Sequence, residues 1–581
     1  MRTDRTMTTT ESSRLFDEPA SRPIVSATRK EHCWNAGTAR RPNRCTGPIA
    51  AILAIAVLLC GCTSLTDYIH NGFKVGPNYR RPAAPVAKTW IDTNDARVKT
   101  DEVDLSRWWT VFNDPALNQL ICTSYHQSLT LREAGFRVLE ARAQLAIDTG
   151  ELLPQTQQMT GSYTRNAISR NTANSSFLSQ RFYSQYNFGF NLAWELDFWG
   201  RFRRAIEADE DTLDAQVENY DSALVTLLGD IATNYAQMRT LEQQIKYAQD
   251  NVQVQRDTLT IVEARFKAST TSELDVDQAR STLAATEAAI PELEISLRQT
   301  VNELCILMGM PPEELRLRLG PGNIPAAPPE VVLGIPADLL RRRPDVRAAE
   351  RTLAAQSAQI GIAEADFYPA ISITGNLGWS AQHTSQLFSP GSFNGTVGPS
   401  FNWNILNYGR ILNNVRLQDY RFQELLATYQ QTVLSANQDV ENGVVTFLRG
   451  QERTRFQAES VEQAKKAVQI ALVQYKAGTV DFTTVTTVEQ TLVTQQNTLA
   501  VAQGEIATGL IQVYRALGGG WEIRINGCQD MLQPPGSPRS LPTLQTAQPQ
   551  PQLPVEGVPT PLPQLQPTPA PPQNNANPPR Q

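Results

Sequence analysis

The sequence contains itself twice, and that duplication limits what it can fold into. Gly200-Arg201 closes one aromatic stretch, and Gly409-Arg410 closes another 209 residues later. Val276 and Val485, Leu283 and Leu492, and Gly309 and Gly518 pair at the same offset. Earlier in each copy, Arg132 and Arg347, like Pro154 and Pro369, stand 215 residues apart. The six-residue change falls between Pro154 and Gly200, where a surface loop can absorb it. A repeat this long is a duplicated domain rather than a short-period solenoid. The seam is the stretch Gly334 to Glu350, in which Pro344 suits a first helical turn and Asp345 suits its positive end. Its run Arg341-Arg342-Arg343 reads, on charge alone, as a solvated patch.

Each copy switches between two periods. Tyr186, Phe188, Phe190, Leu192, Trp194, Leu196 and Phe198 alternate with small or polar residues, as do Ile371 to Trp379 and Phe393 to Ile405. Gln157 to Asn166 is a weaker fourth candidate. This is strand periodicity; a soluble sheet resting on a core gives the same alternation, but about ten residues with one aromatic and one Ser/Thr/Asn face also match membrane β-strands. After each strand pair the period becomes helical. Leu213, Val217, Tyr220, Leu224, Leu227 and Ile231 step by threes and fours. Proline is absent from Gln155 to Ile290 and from Ser400 to Gln533, where average usage would place about seven per window. Because an interior proline costs a helix ~3 kcal/mol, such gaps suit very long helices. Arg201 to Phe266 as one helix would span about 100 Å.

Both long helices end alike, at Arg265 to Val276 and at Gln474 to Val485, and each then turns back. Gly478 suits a C-terminal cap, and Ser272 and Asp481 suit the N-caps of the returning helices. Pro291 should kink the first of these.

The net charge of −6 gives no hint of nucleic acid. None of the seven cysteines forms a CxxC pair of metal or redox type; Cys122, Cys305 and Cys528 read as scattered, buried thiols. Residues 49–59 are an apolar run too short to span a membrane but suited to a signal peptide, with Arg40, Arg41 and Arg44 upstream. It ends in Leu59-Cys60-Gly61-Cys62, similar to a bacterial lipobox, which implies acylation of Cys62 and anchoring in lipid; a plain secretory signal cut nearby is the alternative. The expected division is a leader (1–61), an extended segment (62–104), a first repeat (105–333), a second repeat (334–525) and a proline-rich tail (526–581). The first repeat holds a strand pair at 157–198 and a helical hairpin at 201–308; the second holds them at 370–406 and 410–517. The fold class is thus mainly α with membrane β.

Four strands cannot close a barrel, since the smallest have about eight. An open edge cannot face lipid, because its backbone groups would lack partners. Several copies must therefore pool their strands into one barrel, with the long helices packed into a second barrel beneath.

The lipobox, the seam from Asp338 to Glu350, the two hairpin tips and the ending Leu517-Gly518-Gly519-Gly520-Trp521 resemble the TolC-like outer membrane factors. The match is to the lipoprotein (NodT/OprM-like) branch that serves RND efflux pumps, and it covers about residues 62–525. The resemblance implies a homotrimer with a twelve-stranded barrel in the outer membrane and a helical tunnel in the periplasm. It implies passive conduction of drugs, metals or other small solutes, no cofactor and no catalysis. The partners would be a periplasmic adaptor and an inner-membrane RND pump. The adaptor would meet the tips at Phe266, Lys267, Ser272, Tyr475, Lys476, Gly478 and Asp481, although Tyr475 also reads as core of its helix pair.

Family members close the tunnel near the second tip with an acidic residue. The matching positions here are Thr484, Thr487 and Gln490, with Glu489 nearby, so the charged pattern is missing; Asp275 and Asp277 lie at the first tip. The expectation is an aperture held by packing and neutral hydrogen bonds. Three rival readings are the exit duct of a type I protein-secretion system, a structural coiled-coil lipoprotein, and an enzyme. For the last, no GxxxxGK[ST] or HExxH motif is present and His70, His126 and His383 are isolated.

Overall fold

The computed structural model describes residues 65–101, 104–171 and 180–528. Cys62 and the proline-rich stretch after Pro534 lie outside the described residues. A short helix α1 (Leu65–His70) leads into an extended segment carrying β1 (Val98–Lys99). A 3₁₀ turn (Trp108–Phe112) precedes α2 (Pro115–Gln127) and α3 (Leu129–Gly150). Asp114 caps α2 by accepting from the backbone N–H groups of Ala116 and Leu117, with Pro115 at the first helical position. Strands β2 (Thr156–Ala167) and β3 (Phe182–Leu196) follow, and then the hairpin α4 (Arg201–Lys267) and α5 (Glu273–Leu307). The seam holds α6 (Leu315–Leu319), β4 (Val331–Val332) and α7 (Leu339–Arg342). The second copy is α8 (Pro344–Ala365), β5 (Ala370–Ala381), β6 (Phe393–Asn402), α9 (Arg410–Lys476) and α10 (Phe482–Ala516), closed by α11 (Ile523–Asn526).

The copies match element for element. Helices α3 and α8 both have 22 residues, α4 and α9 both 67, and α5 and α10 both 35. At 1.5 Å per residue, α4 and α9 are each about 100 Å long. Helix α5 continues through Pro291, which has no N–H to offer the carbonyl of Glu287 one turn back. Gly309 and Gly518, at φ 71° and 72°, stop the two returning helices at equivalent places.

Strands β2, β3, β5 and β6 form one antiparallel sheet in the order β2-β3-β5-β6, while β1 and β4 pair in parallel apart from it. Phe188 faces Trp379, Phe190 faces Leu377 and Trp194 faces Ile373 on one side; Asn191 faces Asn376 and Asn187 faces Ser380 on the other. Strand β3 stops at Leu196, short of the expected Phe198, because the Asp197 carboxylate turns to accept from the backbone N–H groups of Phe202 and Arg203 (3.0 and 3.1 Å) and starts α4. Strand β6 ends at Asn402, where the Trp403 indole leaves the sheet to donate to the Phe367 carbonyl at 2.9 Å.

The core lies where the N-terminal helices, α4, the seam and the end of α10 meet; it includes Trp109, Ile121, Leu228, Tyr235, Phe447 and Leu510. The segment after α1 is strapped to the barrel–helix junction. Val75 donates its N–H to the Trp199 carbonyl at 3.0 Å. Arg204, fully buried, donates to the carbonyls of Val75 and Gly76 and to Asn78 (3.1, 3.1 and 3.0 Å).

Two expectations need correction. Of the three consecutive arginines only Arg341 is exposed; Arg343 is largely buried and reaches Asp345, Asp439 and the Ala516 carbonyl, which pins the seam to α9 and α10. Cys122 and Cys528 are not separate thiols but a disulfide, with Cα atoms 5.7 Å apart across a sequence separation of 406. Folding brings α2 and the end of the described chain into one core. Cys305 alone among the described cysteines is free and buried.

Candidate functional site: the hairpin tips and the joint between them

The two tips lie side by side within one chain. Val262, Val276, Ala279, Ala471, Tyr475, Phe482 and Val485, drawn from α4, α5, α9 and α10, form a small apolar core. Tyr475 sits inside it rather than on the surface. Its ring packs 5.4 Å from that of Phe482, and Arg265 lies over its other face at 4.5 Å. Arg265 also donates to the Tyr475 carbonyl, and the Thr271 hydroxyl lies 3.2 Å from the Tyr475 hydroxyl.

The turns are built differently. At the second tip, Gly478 takes φ 74° and Thr479 donates its N–H to the Gln474 carbonyl at 3.0 Å, a glycine-terminated helix end. At the first tip a serine, Ser269, holds the equivalent left-handed position at φ 58°, with Thr270 bonded back to Arg265 at 2.9 Å. Ser272 caps α5 through its side chain, accepting from the Asp275 N–H at 3.4 Å. Asp481 holds the N-cap position of α10 but makes no capping bond with its side chain. Phe266, Lys267, Lys476 and Asp481 are exposed, Asp277 is exposed and Asp275 is half-buried.

On α10, Thr484, Thr487 and Gln490 are exposed, as are Thr491 and Thr494. The hydroxyls of Thr487, Thr491 and Thr494 donate to carbonyls one turn back at 2.7, 2.8 and 2.9 Å. The positions 484, 487, 491 and 494 follow the three-four spacing of one helix face, giving an uncharged hydroxyl stripe. Glu489 points the other way. It is buried against α4, accepts from the Thr258 hydroxyl at 2.8 Å, and is pushed above the usual carboxylate range by burial, with that hydrogen bond opposing.

This pair is the last rung of a ladder that sequence reasoning missed. Asn251 donates to Gln496 at 2.7 Å, and Gln244 donates to Asn497 at 2.5 Å. Positions 244, 251 and 258 recur every seven residues, and that spacing was the available signal. The two rungs with both partners buried, Asn251–Gln496 and Thr258–Glu489, are satisfied in only one alignment, so they fix how the first hairpin slides against the second.

The family described as Outer membrane efflux protein matches residues 120–310 and 335–519, one block in each copy. The chain belongs to that family. The pyoverdine export outer membrane protein OpmQ of Pseudomonas putida is 32% identical over 427 residues, covering 72% of this chain and 88% of that protein. Nodulation protein T of Rhizobium leguminosarum bv. trifolii is 29% identical over 464 residues, covering 79% and 97%. Among solved structures, the outer-membrane channel OprN superposes with a TM-score of 0.72 at 32% identity over 77% of this chain and 99% of that one. The CmeC channel of Campylobacter jejuni, 22% identical with a TM-score of 0.72, shares the fold. As a member of the outer membrane efflux proteins, the chain is an outer-membrane efflux channel, mainly helical, and a passive conduit rather than an enzyme.

Proposed function

We propose that three copies of this chain form the exit duct, anchored to the outer membrane through an acylated Cys62 and open to the periplasm at its hairpin tips. The observation that carries the reading is the four-stranded sheet with both edges, β2 and β6, unpaired among the described residues. Backbone groups left open in hydrocarbon cost several kcal/mol each, and three such sheets joined edge to edge would satisfy them. The tips would receive a periplasmic adaptor through the exposed residues Phe266, Lys267, Ser272, Lys476, Gly478 and Asp481, with buried Tyr475 holding their shape. The adaptor would link the duct to an inner-membrane RND pump that supplies the energy. Transported molecules would be small organic solutes, by analogy with the toluene efflux pump protein TtgI of Pseudomonas putida, 30% identical over 465 residues.

The gate would be the ring of Thr484, Thr487 and Gln490 on α10, with Asp275 and Asp277 at its rim and Glu489 behind it as support. Cross-linking of detergent-purified protein, followed by conductance in planar bilayers, tests the reading. The expected result is a trimer with pore activity that divalent cations block only weakly from the tip side. A folded monomer without conductance would overturn the duct, and strong divalent block would overturn the neutral gate.

A further inference from the structure

The native disulfide skips a cysteine. Cys122 pairs with Cys528, and Cys305, which lies between them in the chain, stays a thiol. An exported chain delivers its cysteines in sequence order, so Cys122 and Cys305 reach an oxidising compartment together before Cys528 arrives. The smaller loop is also entropically easier to close. All three cysteines end in the same core, with 1%, 0% and 1% of Cys122, Cys305 and Cys528 exposed. They therefore converge as the chain collapses, and once the core has closed no external thiolate reaches them. Cys62 would not compete, because on the lipoprotein reading its sulfur is consumed as a thioether.

We propose that this chain requires a periplasmic thiol–disulfide isomerase, in addition to an oxidant, to exchange a Cys122–Cys305 bond for the native Cys122–Cys528 bond before its core seals. In the first step two thiols give two electrons and two protons to a disulfide-bearing oxidant, which leaves as a dithiol. The isomerase thiolate then attacks the Cys122 sulfur, and Cys305 leaves as a thiolate that takes up a proton. Finally the Cys528 thiolate attacks Cys122 in the mixed disulfide and the isomerase thiolate is released, with no net redox change. Uncatalysed exchange of this kind takes minutes to hours, long enough for an unsealed channel subunit to be degraded.

The test uses the full-length chain, expressed in a host with the isomerase and in one that lacks it but keeps the oxidant. Cells are acid-quenched, free thiols are alkylated in denaturant, and tryptic peptides are mapped. Arg132, Arg298, Arg316 and Arg524 place the three cysteines on separate peptides. The expected result with the isomerase is a Cys122–Cys528 peptide and one alkylated thiol at Cys305. Without it, the native peptide falls several-fold and a Cys122–Cys305 peptide appears, and C305A restores native pairing. Three alkylated thiols in the normal host would overturn the disulfide, and equal native pairing of the wild-type chain in both hosts would overturn the need for exchange. If C305A fails to accumulate, C305S replaces it; the wild-type comparison decides the outcome on its own.

Discussion

The Thr258 hydroxyl donates to Oε1 of Glu489 at 2.8 Å, joining the first hairpin to the second near their tips through a carboxyl group that is almost wholly buried. Burial raises the proton affinity of Glu489 in the folded state above that of the unfolded chain. The joint is therefore strongest below the ordinary glutamate pKa and loses that advantage as pH rises through the folded value. Hydrogen exchange corrected for its intrinsic pH dependence should show residues 485–500 better protected at about pH 5 than at about pH 8, since the unperturbed pKa is ~4.3. E489Q keeps the acceptor without the charge and should hold the higher protection at both. Faster exchange in E489Q than in wild type at the higher pH would refute this account.

Ser269 pays for its left-handed backbone, whereas Gly478 at the sister tip does not. S269G should stabilise the first tip by about 1 kcal/mol, and G478A should destabilise the second by a similar amount. Limited proteolysis at the tips, scored by rate, would check both; a faster-cut S269G would show that the serine contributes more than its conformation costs.

Arg524 holds Asp221 with bonds of 2.7 and 3.0 Å, and Asp221 is fully buried. Removing one partner of a buried pair typically costs about 3–5 kcal/mol because the other is left uncompensated. D221A should lower the thermal midpoint by that equivalent, and R524M, which leaves a buried acid behind, should do the same. The double variant should recover part of the loss. Additive losses would rule out a mutually dependent pair.

The two faces of β3 should respond oppositely to charge. Phe190 lies on the apolar side, while Asn191 accepts from Asn376 at 2.6 Å on the polar side. An arginine facing lipid at mid-bilayer depth costs about 2–4 kcal/mol. F190R should therefore reduce the amount of assembled protein in the outer membrane. N191R should assemble and change conductance. Normal assembly of F190R with loss of N191R would mean that the sheet faces have been assigned the wrong way round.

Much of this architecture was legible because it is periodic. The 209-residue offset survives as α4 against α9 and α5 against α10, and proline-free windows marked both long helices. Strand ends were less legible: Asp197 looks like one more alternating polar residue until its carboxylate is seen capping α4. Glu489 was placed near a gate by counting from the tip, but which face it occupies depends on the partner helix. The disulfide had no local signature at all, since its halves meet only when α2 packs against the residues that follow α11. Arg343 was hidden inside a charge run, a pattern that composition assigns to water and that Asp345 and Asp439 draw into the fold.

The bare edges of the sheet also have a genetic meaning. In the proposed trimer, a subunit that presents a normal β2 edge but a damaged β6 edge would still be accepted by a healthy neighbour and would then leave the shared wall open. Such an allele should act dominantly, spoiling tubes built mostly from wild-type protein, whereas an allele that removes the whole chain should be recessive. Loss of the gene and disfigurement of one strand would thus be inherited in different ways.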